Sequence, residues 1–153
     1  MPAAGSEPIP VGTIRPAAAL GQLAEPLAAA SDCLFDLANF LVVTLVNPAM
    51  TLESVGDAAL LGGANRAMVG GELLQFGVAD VVEPGRWRLS RLLRGRAGTA
   101  GEMTHAAGAP FVLLDDPALL MLPDALAAIA EGSGAILQWA PRGGTALTAI
   151  AVP

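Results

Sequence analysis

The side chains best suited to chemistry are few in this chain and lie far apart in the sequence. His105 is the only histidine, and Cys33 is the only cysteine. One histidine and one cysteine leave a metal site to be completed by carboxylates, and a lone cysteine allows no disulfide within the chain. A triad of His105 with Ser90 and Asp115 lacks the serine motif of hydrolases, so we favour a loop histidine that bonds backbone. Cys33 stands among apolar residues, which predicts a buried, unreactive thiol.

Two pairs of neighbouring carboxylates could act as an acid and a base, namely Asp80 with Glu83 and Asp115 with Asp116. Glycosidases need two carboxylates at a set separation across a cleft. Here each pair borders a proline-containing turn, and capping of the turn explains both pairs. The sequence therefore predicts that the chain is not an enzyme and has no catalytic, cofactor-binding or metal-binding residues.

Five arginines occur between positions 86 and 96, a density that could serve contact with phosphate: Arg86, Arg88, Arg91, Arg94 and Arg96. Alternation with apolar residues explains Arg86 and Arg88 as the solvated face of a strand. The net charge of −6 also argues against general binding to nucleic acid, which needs a basic surface. The segment that follows lacks the Gly-Lys-Ser/Thr ending of a phosphate-binding loop. A nucleic-acid partner is thus disfavoured.

The end of this arginine-rich stretch has the residue types of a structural loop motif. Its arginines offer forked donors for carboxylates or carbonyls, its glycines allow a left-handed backbone, and its threonine can bond a nearby backbone group: Arg94, Gly95, Arg96, Gly98 and Thr99. We predict that Arg94 is at least partly buried and ties a loop to a sheet through charge-assisted hydrogen bonds. Glu72, at the start of a predicted strand, is a candidate to face an arginine.

The high apolar content does not arise from a membrane-spanning segment. Apolar residues make up 54% of the chain and the mean hydropathy is +0.58. The richest run, 37–50, is broken by two asparagines and a proline, and it is shorter than the roughly 20 apolar residues that a spanning helix needs. Residues 1–10 contain no basic residue and do not resemble a signal peptide. We therefore predict no membrane insertion.

Predicted strands outnumber predicted helices along the chain. Residues 1–15 read as a linker or extended arm, and 16–153 as a single β-rich domain. The best-defined pattern is a hairpin of 73–82 with 86–93 around a Glu-Pro-Gly turn, and 95–108 reads as a loop. The other predicted strands are 40–46, 67–69, 110–114, 135–139 and 146–152. Helical candidates are 16–30 (or loosely ordered), a short turn within 52–61, and 123–131. We predict a mainly β fold, an antiparallel β-sandwich or small β-barrel with one or two short helices.

Between residues 53 and 115 the chain resembles a known family. The blocks that carry the resemblance are Gly63-Ala64-Asn65, the strand 72–76, the Trp-to-Thr block 87–99 and the apolar strand 107–115, with a weaker match over 41–55. They are similar to the C-terminal part of the tail-tip protein of gene transfer agents and siphophage-like tails, also called a host-specificity or baseplate hub protein. The first 40 residues and the last 30 match this family poorly.

The resemblance implies a structural and assembly role in the tip of a phage-like tail. It implies other tail or baseplate proteins as partners, an oligomer within the particle, and a location in a particle made in the bacterial cytoplasm. A carbohydrate- or receptor-binding module of the tail tip is the alternative. Surface glycan would then be the ligand, with Trp87 and Trp139 as the candidate contacts because sugar sites use exposed aromatic rings. A remnant of a hydrolase is a third interpretation.

Overall fold

Strands form most of the regular structure in a computed structural model of the chain, which describes residues 18–114, 136–139 and 148–151. In these ranges the strands are β1 (Leu20–Leu23), β2 (Phe35–Asp36), β3 (Leu41–Leu45), β4 (Arg66–Val69), β5 (Glu72–Glu83), β6 (Arg86–Arg96), β7 (Pro110–Leu113), β8 (Ile136–Trp139) and β9 (Thr148–Ala151). One helix, α1 (Asp57–Leu61), and one 3-10 turn (Ala100–Glu102) accompany them. The predicted linker 1–15 and helix 123–131 lie outside the described residues.

Six of these strands close into an antiparallel barrel. The order around the ring is β6, β3, β1, β7, β4 and β5, and the pairing of β5 with β6 completes the circle. The seventh strand of this sheet, β2, pairs with residues 92 and 93 of β6, on the same edge of β6 as β3. Closure leaves no open edge on the six ring strands. The predicted mainly β fold is confirmed, and the small barrel rather than the sandwich is the form that it takes.

The longest pairing in the barrel is the predicted hairpin of β5 and β6. Its turn lies at Pro84-Gly85, where Gly85 has a φ of 76° and packs against Pro48. Both strands extend beyond the predicted limits, and β6 runs on to Arg96, which pairs with Leu73. The prediction of a loop from residue 95 is therefore wrong for residues 95 and 96, because pairing with β5 keeps them in the strand.

The alanine-rich segment near the N-terminus is not helical where the structure describes it. Residues 20–23 form β1, which lies between β3 and β7. Leu27 follows and makes an isolated antiparallel bridge with His105. The helical interpretation of 16–30 is wrong over the described residues 18–30, because strand pairing on both sides of β1 outweighs the high helix propensity of alanine. The predicted helical turn within 52–61 is present as α1.

Apolar side chains fill the interior of the barrel. Every ring strand contributes at least one residue that is almost fully buried, and the largest of them are Leu23, Leu41, Leu74, Phe76, Leu89, Leu92 and Phe111. On β3 and β6 the buried residues alternate with exposed ones over part of the strand, as expected for a sheet with one face toward the core. This core positions the polar groups described below.

The strands β8 and β9 belong to a second compact unit of the chain. They form an antiparallel hairpin in which Ile136 pairs with Ala151 and Trp139 with Thr148. The two predicted C-terminal strands are thus confirmed. The single domain predicted over 16–153 stays a prediction. In the described ranges, neither helix is long and apolar enough to cross a membrane.

Candidate functional site

Four polar side chains from four separate segments meet at the end of the barrel opposite the Pro84-Gly85 turn. Glu72 begins β5, Arg94 lies near the end of β6, Asp36 ends β2, and His105 bridges to Leu27. Glu72 and Arg94 are fully buried, and Asp36 and His105 are each 7% exposed. We refer to these four residues as the Glu72 cluster. Ionisable groups this deeply buried require partners for their charge.

Arg94 uses every donor of its guanidinium inside the protein. Its Nε and Nη2 donate to the two carboxylate oxygens of Glu72, each at 2.8 Å. Nη2 also donates to the carbonyl of Met103 at 2.7 Å, and Nη1 donates to the carbonyl of Ala28 at 2.9 Å and to Asp36 at 3.5 Å. The predicted burial of Arg94 is confirmed. Its side chain links the strands β2 and β5 to the two loops that contain Ala28 and Met103.

The carboxylate of Glu72 is equally saturated. Besides the two bonds from Arg94, it accepts the backbone N–H of Gly95 at 2.8 Å and lies 2.7 Å from Nε2 of His105. Burial acts to raise the pKa of Glu72, but the donors from Arg94, His105 and Gly95 outweigh it and hold that pKa below its usual value. The lowered pKa keeps Glu72 ionised at neutral pH, so its carboxylate acts as a hydrogen-bond acceptor. This carboxylate stabilises the fold and has no free lone pair for a substrate proton.

Asp36 fastens the connection between β2 and β3. Its Oδ1 accepts the backbone N–H groups of Ala38 and Asn39, and its Oδ2 accepts the Asn39 side chain at 2.9 Å. Burial acts to raise the pKa of Asp36. The hydrogen bonds from Asn39 and Ala38 and the nearby Arg94 charge together lower it by more, so the net shift is downward. The cluster thus holds two ionised carboxylates around one buried guanidinium.

Neighbouring residues make room for the cluster and close the turn beside it. Gly70 has a φ of 55°, and a Cβ there would lie 3.3 Å from Nδ1 of His105. In the predicted loop motif, Thr99 accepts the backbone N–H of Leu73 at 2.9 Å and donates to the Arg96 carbonyl at 2.8 Å. Gly95 and Gly98 have φ values of 57° and 83°, the left-handed backbone expected of them.

The remaining arginines of the predicted cluster do not converge on one binding surface. Arg91 makes a bidentate pair with Asp57 of α1, at 2.7 and 2.6 Å, and lies over the ring of Phe35. Arg86 lies 3.4 Å from Glu83. Arg88 stacks on Phe40, and Arg96 is exposed. The structure therefore separates these side chains, and only Arg94 enters the Glu72 cluster.

The pairs considered for catalysis are not assembled into a site. The His105 ring is hydrogen-bonded to Glu72 rather than to Ser90, which lies on β6. Asp80 and Glu83 are both exposed on β5, and Asp115 and Asp116 lie outside the described residues. Among residues 18–114, no three His, Cys, Asp or Glu side chains group in a way that could hold a metal ion.

Two single-residue predictions are wrong. Cys33 is exposed in the loop before β2, where its thiol donates to Asp32 at 3.2 Å and the Asp32 carboxylate raises the pKa of Cys33. Trp87, proposed as an exposed partner contact, is 8% exposed and packs in the barrel core, because its strand position faces inward beside its buried register partner Val43. Trp139 lies on β8, and its side chain is outside the described part of the structure.

Fold and site together define a small antiparallel barrel held at one end by a buried ionic cluster. Residues 18–112 match the protein-family model described as Rcc01698-like, C-terminal. Because the match covers well over half of the 153 residues, the chain belongs to the Rcc01698-like C-terminal family. The match includes β1 to β3. No curated protein and no solved structure matches the chain significantly.

Proposed function

We propose that this chain is a structural and assembly domain in the tip, or baseplate hub, of a phage-like tail. The observation that carries the proposal is the family match over 18–112. The name of that family is associated with the gene transfer agent of Rhodobacter capsulatus. The blocks over 53–115 that resemble tail-tip proteins support the same role, with other tail or baseplate proteins as partners and the particle tail as the location.

The geometry of the Glu72 cluster supports a structural role over a catalytic one. Arg94 and Glu72 have the residue types of a phosphate-binding or acid-base pair, but each spends its hydrogen bonds on the other and on backbone groups. The cluster joins β2, β5, β6 and the loop around Met103 into one unit. A barrel braced in this way is suited to present a fixed outer surface to neighbouring subunits.

The glycan-binding alternative loses one of its two candidate contacts, because Trp87 is in the barrel core. Nothing in residues 18–114 favours it over the assembly role. We therefore keep the assembly role as the single proposed function.

Mass spectrometry of purified tailed particles tests this function directly. Particles from the organism that makes the chain should contain its peptides in a fixed ratio to the tail-tube protein. Deletion of its coding region should give particles whose tail tips lack density when imaged by cryo-electron microscopy, and the reintroduced gene should restore that density. Particles that lack the chain, with unaltered tips, would contradict the proposal.

A further inference from the structure

One outer surface of the barrel exposes three large apolar side chains beside an arginine. Leu34 and Leu37 are 68% and 69% exposed, and Phe40 is 39% exposed. Such side chains are common singly on protein surfaces, but a contiguous group next to a charged group marks an interaction site. We call Leu34, Leu37, Phe40 and Arg88 the β2 surface.

Strand register places both ends of the segment that carries the β2 surface beside β6. Residues 35 and 36 pair with Leu93 and Leu92 of β6, and residues 41 and 42 pair with Leu89 and Arg88 of the same strand. Residues 37–40, which include Leu37 and Phe40, connect these two paired stretches. Arg88 lies over the ring of Phe40, with its guanidinium carbon 4.1 Å from the ring centroid. The charge is therefore held against the apolar part of the surface.

The guanidinium of Arg88 has no carboxylate partner within residues 18–114. Its register neighbour on β5, Asp80, lies on the other side of β6 from Phe40, and no ion pair joins Arg88 to it. By contrast, Arg86 lies within 4 Å of Glu25 and Glu83, and Arg91 is paired with Asp57. A guanidinium stacked face-on to a ring leaves its N–H edge open to a planar acceptor such as a carboxylate.

We propose that the β2 surface binds an apolar segment of a partner protein that carries an aspartate or glutamate side chain. The leucines and Phe40 cover the apolar part of the segment, and Arg88 pairs with the carboxylate. This deepens the proposed assembly function, on which it rests for the partner's place in the tail, by naming the chemistry of the partner. A second copy of this chain fits less well, because a two-fold contact through the same surface brings Arg88 toward Arg88 and supplies no carboxylate from that surface.

Selection of short random peptides displayed on phage, with the full chain as bait, tests the proposal. The selected peptides are then synthesised and their Kd values measured by fluorescence anisotropy. We expect peptides that combine apolar residues with Asp or Glu. Arg88→Gln and Leu37→Ser should each weaken binding by about tenfold or more. The first variant removes the charge pair with the peptide carboxylate, and the second removes an apolar contact. The matched controls Arg96→Gln and Val46→Ser alter equally exposed residues elsewhere on the barrel and should leave the Kd within about twofold.

Three results of the peptide experiment would overturn the proposal. They are a selection that yields no binding peptide, selected peptides without acidic enrichment, or binding that survives both Arg88→Gln and Leu37→Ser while circular dichroism shows the variants folded. A dimer in light scattering that Leu37→Ser dissolves would assign the surface to a second copy and also overturn it. Because none of these measurements uses particles, failure here is distinct from failure of the tail-tip function, which the particle experiment tests.

Discussion

Arg94 and Arg96 lie two residues apart on β6 in opposite environments. Arg94 is fully buried and satisfied by Glu72 and two carbonyls, whereas Arg96 is exposed. Removal of one partner from a buried ion pair leaves an uncompensated charge, which costs about 3–5 kcal/mol. An exposed arginine contributes little by comparison. The two positions therefore form a natural pair for measuring what the Glu72 cluster adds to stability.

We expect Arg94→Ala to lower the free energy of unfolding by about 3–5 kcal/mol, because Glu72 and the Ala28 and Met103 carbonyls lose their donor. Arg96→Ala should change it by less than about 0.5 kcal/mol. Urea denaturation followed by circular dichroism measures both. An unchanged free energy of unfolding for Arg94→Ala would show that the buried pair does not support the fold.

The lowered pKa values of Glu72 and Asp36 predict a loss of stability in acid. Both carboxyls bind protons less readily in the folded than in the unfolded state, so their contribution is complete above the ordinary values of about 4.3 and 3.9. It is lost as the pH falls below these values through the lowered folded ones. Unfolding free energies measured by urea at about pH 7 and at steps below about pH 4.5 should therefore decline toward acid.

Glu72→Gln provides the control for this pH dependence. The variant is less stable at neutral pH, and its stability should fall less steeply with acid because one of the two buried titrating groups is gone. Asp57, whose pKa is also lowered, by Arg91, is exposed and screened by solvent, so added salt should reduce its part of the decline. Equal slopes for the parent chain and Glu72→Gln would exclude Glu72 as a source of acid sensitivity.

At the scale of elements, β1 packs closely between β3 and β7 at Gly21. Gly21 lies between Leu45 of β3 and Phe111 of β7, and a Cβ added there would collide with the carbonyl oxygen of Thr44. The contacting atom belongs to the backbone of a paired strand, so it cannot turn aside as a side chain would. The absence of a Cβ at position 21 is thus a condition for closure of the ring.

We expect Gly21→Ala to destabilise the protein by about 1–3 kcal/mol, the usual range for forced overpacking. Gly101→Ala is the matched control, because a Cβ there meets nothing within 4 Å and its backbone has no positive φ. It should change stability by less than about 0.5 kcal/mol. Thermal unfolding gives the melting temperatures of both variants. Equal melting temperatures would mean that β1 can shift to accept the added methyl.

At the scale of the whole molecule, the barrel is complete within one compact unit, Arg15–Leu119. Each of the six ring strands finds both of its neighbours there, and the Glu72 cluster is also contained in it. We therefore expect a fragment of residues 15–119 to fold alone and to unfold cooperatively at a temperature near that of the full chain. Amide NMR spectra with narrow dispersion, or a non-cooperative melt, would show that the barrel depends on the rest of the chain.

Features that arise from local patterns were predictable from the residues alone. Alternating side chains around a Glu-Pro-Gly turn specified the β5–β6 hairpin, since a period of two places one set of residues on a buried face. Strand-like runs outnumbering helical ones specified a mainly β fold. The position of Arg94 between an apolar residue and a glycine motivated its predicted burial. Each of these inferences needs only near neighbours along the chain.

Which segments meet depends on contacts between residues far apart in the chain. Arg94 and His105 lie 22 and 33 residues after Glu72 in the sequence, and Asp36 lies 58 residues before Arg94. Residue period indicates which face of a strand is buried but not its partner, so closure into a barrel and the saturated cluster could not be derived. The same reason explains β1, where pairing on two sides overrode alanine's helix preference, and Cys33, whose apolar neighbours lie in a loop on the surface.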